Sequence, residues 1–169
     1  ALAALSSAPS ALAQSPSQPA APVSPNDRIV IAAIGIGGRG TEDIKSFLSD
    51  PRVQFVANCD IREDRRESVK SLIDNAQGNH DCKMYSNAQD LLARPDIEAV
   101  LIATSDRWHT LMSIWAAEAG KDIFCEKPLS LTIAESYALA ETVRRYGRVY
   151  QAGCQRRNVP NFELAVGLA

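Results

Sequence analysis

The sequence predicts an open, doubly wound α/β sheet of parallel strands, because short apolar runs alternate with helical patterns from Arg28 onward. Two of the runs, 28–34 and 97–103, contain few polar residues, which indicates strands buried on both faces by covering helices. The five predicted strands span residues 28–34, 53–58, 97–103, 122–125 and 148–152.

Helices are predicted where apolar residues recur at helical spacing between these strands. The five predicted helices span residues 41–49, 62–76, 87–93, 109–119 and 132–146. Thr132 and Glu135 have the spacing of a capping box, which ties two backbone N–H groups at the start of the last of these helices. Gly120 and Gly147 follow predicted helix ends, where a left-handed residue is favoured.

The composition is that of one ordinary globular domain with a short tail. The 169 residues carry 18 lysines and arginines against 20 aspartates and glutamates, a net charge of −2. Without a basic field, binding to nucleic acid through its phosphates is not expected. No apolar run reaches the ~18 residues that a membrane span needs, and no CxxC or HxxxH pair predicts a metal site. The expected partner is therefore a small molecule.

A glycine-rich turn links the first predicted strand to the first predicted helix. Gly35, Gly37 and Gly40 fit the G-x-G-x-x-G pattern, with Gly38 and Arg39 between them. Gly35 would permit a tight turn, Gly37 would let a pyrophosphate approach the backbone, and Gly40 would let the helix pack close to the strand. The N-terminus of that helix would add unpaired N–H groups and a partial positive charge. The pattern predicts a phosphate-binding turn, with a merely flexible turn as the alternative.

An acidic residue at the end of the second strand sharpens this prediction. Asp60 lies 20 residues beyond Gly40, where a carboxylate can accept hydrogen bonds from the adenosine ribose hydroxyls of a dinucleotide. The carboxylate would also repel a 2′-phosphate, so the expected cofactor is NAD, with NADP less favoured. Arg62, Arg65 and Arg66 could pair with such a phosphate, but a solvated helix face is the preferred interpretation of these arginines. Together these features predict a dinucleotide-binding Rossmann domain.

Two further loops follow predicted strands at the edge of the sheet where ligands of such folds bind. The first runs from Thr104 to His109, and the second is the Glu-Lys-Pro run at residues 126–128. The second resembles the E-K-P signature of the Gfo/Idh/MocA oxidoreductases. The first resembles the T-P-N-x-x-H loop of that family, with Ser105 and Asp106 in place of Pro and Asn. The resemblance extends from about residue 28 to the end of the chain.

The resemblance implies an NAD-dependent oxidoreductase that acts on a sugar or polyol hydroxyl by hydride transfer, with this chain as its cofactor-binding part and inactive by itself. It also implies a second α/β domain, missing here apart from its start, through which a homo-oligomer could form. The D-x-W-H form of the first loop, the Gly-Gly-Arg-Gly turn and the run at residues 155–157 resemble a secreted bacterial subgroup, often exported by the twin-arginine route.

The same resemblance gives roles to residues of the two loops. It implies that Lys127 contacts substrate, where its cation could position the hydroxyl and, if partly desolvated, join the proton transfer. Glu126 is expected to hydrogen-bond the nicotinamide ribose or to orient Lys127, and Thr104 to face the cofactor. Two interpretations of His109 stay open: a neutral imidazole that binds substrate or cofactor, and a capping or packing residue. Trp108 could stack near the cofactor or sugar, or fill the core.

Other functions and further contacts also remain open. Gln155 and Arg156 follow the last predicted strand and could reach substrate. A glycosidase that keeps NAD bound, oxidises a ring hydroxyl transiently, eliminates the aglycone and reverses the redox step would use the same glycine turn and E-K-P run. A redox-inactive dinucleotide-binding module is the other alternative.

The two ends of the chain differ from its body. Of the first 25 residues, 21 are Ala, Ser, Pro or Gln and none is charged, which predicts an unstructured segment. Ala11-Leu12-Ala13 is typical of a cleavage site, so residues 1–13 are interpreted as an export-signal remnant and the protein as periplasmic or secreted; if the segment is only a linker, a cytoplasmic location is expected. The predicted organisation is a tail at 1–25, a dinucleotide-binding domain at 26–153 and the start of a substrate domain at 154–169, with a helix from Asn161.

Overall fold

Six parallel strands form the sheet that positions the site. A computed structural model of the chain describes Ser24, residues 27–154 and residues 160–168. The strands are β1 (Ile29–Ile34), β2 (Val53–Cys59), β3 (Lys83–Tyr85), β4 (Ala99–Ile102), β5 (Asp122–Cys125) and β6 (Tyr150–Ala152). They pair in the order β3-β2-β1-β4-β5-β6, which confirms the predicted doubly wound parallel sheet. The order reverses between β1 and β4, where open α/β sheets bind their ligands.

Helices cover both faces of this sheet. The helices of the domain are α1 (Gly38–Phe47), α2 (Glu63–Gln77), α3 (Ala88–Leu92), α4 (His109–Glu118) and α5 (Ile133–Tyr146), and a further helix, α6 (Pro160–Gly167), follows β6 in the chain. One core cluster contains Ile44 of α1 and Ile73 of α2, and the other contains Leu91 of α3 and Ala116 of α4. Since β1 and β4 contribute residues to both clusters, these strands are buried on both faces, as their apolar sequences predict.

The ends of two helices follow the predicted capping chemistry. The Thr132 hydroxyl accepts the Glu135 N–H at 3.2 Å, and the Glu135 carboxylate accepts the Thr132 N–H at 2.9 Å, which completes the capping box of α5. Gly120 and Gly147 have φ of +76° and +62°, the left-handed conformation expected after α4 and α5. The predicted capping box and both glycine terminators are confirmed.

The structure differs from the prediction at one strand and one helix start. The sequence predicts no strand at β3. This strand has only three residues at the edge of the sheet, where it pairs with the end of β2 and leaves Lys83 and Met84 exposed, so it shows no apolar run in the sequence. Helix α1 begins at Gly38 rather than at residue 41. Glycine is a poor helix former, so the first turn of α1 depends on packing against the sheet that propensity alone does not indicate.

Several predictions concern residues at the chain ends. Apart from Ser24, the predicted tail at 1–25 lies outside the described residues, as do Gln155 and Arg156. Helix α6 lies where a helix is predicted from Asn161. Within the described part of the chain, every helix is too short or too polar to cross a bilayer.

Candidate cofactor-binding site

A cleft of about 720 Å³, the main cleft, lies at the carboxyl ends of β1, β2 and β4. Its lining includes predicted residues from three separate segments: Gly35, Gly37, Gly38, Arg39, Asp60, Thr104 and Trp108. The sheet topology thus brings together the glycine turn, the acid and the first of the two loops. Four further predicted residues are not part of this lining: Gly40, His109, Glu126 and Lys127.

The outer glycines of the turn are required by the backbone around them. Gly35 has φ of +79°, and a Cβ at this position would lie 2.4 Å from the Thr104 backbone nitrogen. A Cβ at Gly40 would lie 2.3 Å from the Gly35 carbonyl oxygen and 3.3 Å from the Ala103 Cβ. These distances are too short for any side chain, so the turn, α1 and the loop after β4 pack together only with glycine at both positions.

The middle of the turn is arranged for an anion. Gly37 precedes α1 without a capping side chain, and the first turn of the helix contains no acidic residue. Among the described residues no side chain caps the N–H groups of this helix start, which lines the cleft with the positive end of the helix dipole. A Cβ at Gly37 would lie 3.2 Å from Nη1 of Arg65, whereas one at Gly38 would meet no atom within 4 Å. The space above Gly37 thus adjoins a guanidinium group.

Asp60 fastens the turn to the end of β2. Its Oδ2 accepts the Ile36 N–H at 3.1 Å and its Oδ1 accepts the Arg62 N–H at 3.0 Å. The side chain is only 6% exposed, and Arg65 is its ion-pair partner with Nη1 3.6 Å from Oδ2. Carboxylate oxygens accept more than one hydrogen bond each, so these contacts leave acceptor capacity toward the cleft.

The three arginines after Asp60 have different surroundings. Arg62 pairs with Asp64 at 2.6 Å, and both side chains are more than half exposed, as the solvated-face interpretation expects. Arg66 donates from Nη1 to the Asp60 carbonyl at 2.7 Å and so closes the end of β2. Arg65 lines the main cleft between Gly37 and Asp60. Arg65 and Arg66 thus contact Asp60 in addition to solvent, which the solvated-face interpretation does not include.

Behind the glycine turn, Arg39 joins two buried carboxylates. Its guanidinium pairs through Nη2 with Asp43 and through Nε with Glu126 Oε1, the latter at 3.2 Å. Burial raises the pKa of the Asp43 carboxyl, and the hydrogen bond from Arg39 only partly opposes the rise. Glu126 Oε2 accepts the Lys127 backbone N–H at 3.1 Å. Of the two roles expected for Glu126, the orientation of Lys127 has a direct contact in this structure.

His109 holds the two predicted loops together. The ring is 1% exposed, with Nδ1 2.6 Å from the Pro128 carbonyl and Nε2 3.1 Å from the Thr104 carbonyl. Next to it, the Thr110 hydroxyl donates to the Leu129 carbonyl at 3.0 Å. Of the two interpretations of His109, these contacts favour the packing residue, because both ring nitrogens face backbone oxygens instead of the cleft.

The side chains that face outward are Trp108 and Lys127. Trp108 is 44% exposed and lines the main cleft, which fits a contact with a ligand better than a place in the core. Lys127 is exposed and follows the buried Glu126, with a cis peptide bond to Pro128. The described residues leave the Lys127 ammonium group in solvent. The partial desolvation expected for it would have to come from a bound ligand or from another part of the protein.

Several residues of the cleft are absent from the sequence prediction. Ser86, Asn87 and Ala88 line it because β3 brings the following loop to this edge, and the missed strand left that loop unplaced. Ile61, next to Asp60, is 89% exposed at the cleft and offers an apolar surface beside the acid. Because Ile61 directly follows Asp60 in the sequence, it could have been predicted to line the cleft.

The reversal of strand order, the uncapped helix start and the buried acid define a dinucleotide-binding α/β domain. The sequence model of the Gfo/Idh/MocA family, an oxidoreductase family with an NAD-binding Rossmann fold, matches residues 29–154. The chain belongs to this family, as the resemblance of its E-K-P run indicates.

Named relatives fall into two groups of activity. An uncharacterized oxidoreductase, YrbE of Bacillus subtilis, is 35% identical over 136 residues, which are 80% of this chain and 38% of the relative. A glycosyl hydrolase family 109 protein of Solibacter usitatus is 33% identical over 123 residues, 70% of this chain and 28% of the relative. The crystal structure of myo-inositol 2-dehydrogenase from Lactobacillus plantarum superposes with a TM-score of 0.73 at 26% identity, covering 83% of this chain and 40% of that one. The chain thus spans less than half the length of each.

Proposed function

We propose that this chain is the cofactor-binding part of an NAD-dependent oxidoreductase that oxidises a sugar or polyol hydroxyl, with transfer of a hydride from the carbon that bears it. The observation that carries the proposal is the main cleft, where the uncapped start of α1 and the Asp60 carboxylate face the same space. The similarity to myo-inositol 2-dehydrogenase supports a polyol as substrate class.

The residues of the cleft fit a dinucleotide. The N–H groups after Gly37 would hold the diphosphate, and Asp60 would accept the adenosine ribose hydroxyls. The carboxylate favours NAD over NADP, because a 2′-phosphate would approach a buried negative charge. When bound, the nicotinamide supplies the carbon that accepts the hydride. Thr104 and Trp108, on the β4 side of the cleft, would face that half of the cofactor.

Lys127 is the proposed catalytic residue of the chain. As a cation its side chain would position the substrate hydroxyl, and as the neutral amine, once desolvated, it would accept the hydroxyl proton and become the ammonium as the hydride leaves. Glu126 fixes the backbone of Lys127, and His109 fixes the Pro128 carbonyl one residue further on, so both are positioning residues. Gln155 and Arg156 remain proposed substrate contacts, on the basis of their place after β6 in the sequence.

A glycosidase with tightly bound NAD is the second candidate. The family 109 glycosyl hydrolase of Solibacter usitatus, 33% identical over its match, favours it. The same groups would serve both reactions, because the hydrolase candidate also begins with oxidation of a ring hydroxyl next to Lys127. The candidates differ in net chemistry: the dehydrogenase accumulates NADH, whereas the glycosidase returns the hydride and releases an aglycone.

Mass spectrometry and turnover assays on the full-length protein test the proposal. Spectra under native and then denaturing conditions would show whether NAD co-purifies. Steady NADH formation with a free polyol would support the dehydrogenase, and glycoside cleavage without added cofactor would support the glycosidase. Binding of NAD with neither activity would leave the redox-inactive module, and failure to bind NAD or NADP would refute all three.

The substitution Lys127→Ala separates catalysis from cofactor binding. Because Lys127 lies outside the lining of the main cleft, we expect turnover to be abolished while the NAD dissociation constant changes less than about twofold. Arg107→Ala is the matched control, because Arg107 is an exposed residue of the other loop. This variant should keep both the turnover and the NAD affinity of wild type. Full turnover by Lys127→Ala would remove this residue from the mechanism.

Location and assembly are part of the same proposal. The Ala/Pro-rich tail with Ala11-Leu12-Ala13 supports export to the periplasm or beyond, and the resemblance to a secreted subgroup favours the twin-arginine route. A secreted oxidoreductase would need its cofactor bound before export, which favours slow release of NAD. Fractionation of cells that express the full-length gene, with and without the tail, tests the location, and light scattering of that protein tests for a homo-oligomer.

A further inference from the structure

Arg65 lies at the point of the main cleft where a dinucleotide would carry its negative charge. A Cβ on Gly37 would be 3.2 Å from Arg65 Nη1 and 3.5 Å from its Cζ, so the guanidinium lies directly beside the backbone of the glycine turn. The Arg65 side chain is 42% exposed, and it lines the cleft. It is thus both held at the turn and open to a ligand.

The contacts of Arg65 hold it in place without saturating it. Its ion pair with Asp60 is 3.6 Å long, beyond ordinary hydrogen-bond length. The Asp60 oxygens are in turn held by the N–H groups of Ile36 and Arg62. A guanidinium has five N–H donors in a fixed plane, which suits the oxygens of a phosphate. Among the described residues the ion-pair partner of Arg65 is Asp60, so the guanidinium retains donors for a ligand above the turn.

We propose that Arg65 is the side-chain cation that binds the diphosphate of the cofactor, opposite the N–H groups at the start of α1. The inference rests on the proposed function, since it assumes that the cleft takes a dinucleotide. Asp60 then has two tasks: it accepts the ribose hydroxyls and it holds Arg65 over Gly37. Arg65 also offsets the negative charge of Asp60, which would otherwise repel the nearby phosphates.

The position of Arg65 favours the diphosphate over the 2′-phosphate of NADP as its ligand. The Arg65 guanidinium adjoins Gly37, whose backbone would hold the diphosphate, as well as Asp60. A residue that binds the diphosphate strengthens NAD and NADP binding by the same factor, because both cofactors contain that group.

Calorimetric titration of the protein with NAD, NADP and ADP-ribose tests the inference on wild type, Arg65→Ala, Arg65→Lys and Arg62→Ala. We expect Arg65→Ala to weaken all three ligands equally, by about tenfold to a hundredfold, as for a lost hydrogen bond to a charged group. Arg65→Lys, which keeps the charge but loses the planar fork, should lose less. Arg62→Ala is the matched control, because Arg62 pairs with Asp64 in solvent, and it should bind as wild type does.

The outcomes separate this inference from the proposed function. If wild type binds neither NAD nor NADP, the proposed function itself fails. If wild type binds the three ligands and both Arg65 variants bind them as tightly as wild type does, Arg65 has no part in binding and the inference is overturned. Loss confined to NADP would also overturn it, by assigning Arg65 to the 2′-phosphate. Thermal unfolding of each variant identifies any that fail to fold, and Arg65→Lys then gives the result in place of Arg65→Ala.

Discussion

The substitution Gly40→Ala tests the close packing between the glycine turn and α1. The new methyl carbon would lie 2.3 Å from the Gly35 carbonyl oxygen, and an ordinary C···O contact is about 3.3 Å, so α1 must move by about 1 Å. The carbonyl cannot simply rotate away, because it shares a peptide plane with the Ile36 N–H, which donates to Asp60 Oδ2 at 3.1 Å. On the far side, the methyl would also press on Ala103.

The expected cost follows from two opposing effects. Overpacking of this kind destabilises by about 1–3 kcal/mol, while alanine in a helix gains up to about 1 kcal/mol over glycine. The net expectation is a loss of about 1–2 kcal/mol, or a fall in Tm of about 3–10 °C for a domain of this size. Because the turn itself must shift, we also expect a weaker affinity for NAD.

Gly38→Ala is the matched control, since it adds the same methyl to the same helix. A Cβ at Gly38 would meet no atom within 4 Å, so this variant should be as stable as wild type or slightly more stable. Urea and thermal unfolding followed by circular dichroism measure both variants. Equal midpoints for Gly40→Ala and Gly38→Ala would refute the packing argument for the third glycine of the turn.

Two further predictions concern the rest of the fold. Thr132→Ala removes the hydroxyl half of the α5 capping box and should lower the free energy of unfolding by about 1 kcal/mol, with Thr132→Ser close to wild type in urea unfolding. At Asp74, burial alone would raise the pKa, but hydrogen bonds from Lys70 and the Cys82 N–H outweigh it and hold the pKa below 3.8. Stability from Asp74 is therefore present above about pH 4 and lost as the pH falls through the folded-state pKa. Asp74→Asn should flatten the stability profile below about pH 4, and an unchanged acid limb would contradict this assignment.

Much of the fold could be predicted because its signals are local. The strands β1 and β4 are apolar runs, and the Thr132 and Gly147 helix ends depend on residues within one turn. Strand β3 lacks such a signal, because three half-exposed residues at an edge gain their structure from pairing with β2. The loop after β3, which contains Asn87 and lines the cleft, is missing from the predicted site for the same reason.

The candidate site could be predicted in its residues more than in their contacts. The spacing of the glycines and Asp60 indicates which residues meet, since parallel strands end at one edge. Nothing in the local sequence separates Arg65 from Arg62 and Arg66, although their guanidinium groups lie at the turn, in solvent and at the end of β2 respectively. That difference depends on the direction in which each side chain leaves the first turns of α2, which only the packed helix fixes.

The buried polar groups behind the site explain why its outer residues can be placed before any ligand binds. Glu126 and His109 are each at most 3% exposed, and each bonds a backbone group of the E-K-P loop. A buried charge or imidazole without partners would cost several kcal/mol, so these contacts persist whenever the domain is folded. The substrate contact proposed for Lys127 needs the opposite surroundings, because a group that binds substrate must face open space. The loop therefore combines a fixed backbone with an exposed ammonium group, and the residues that fix it need not touch the ligand at all.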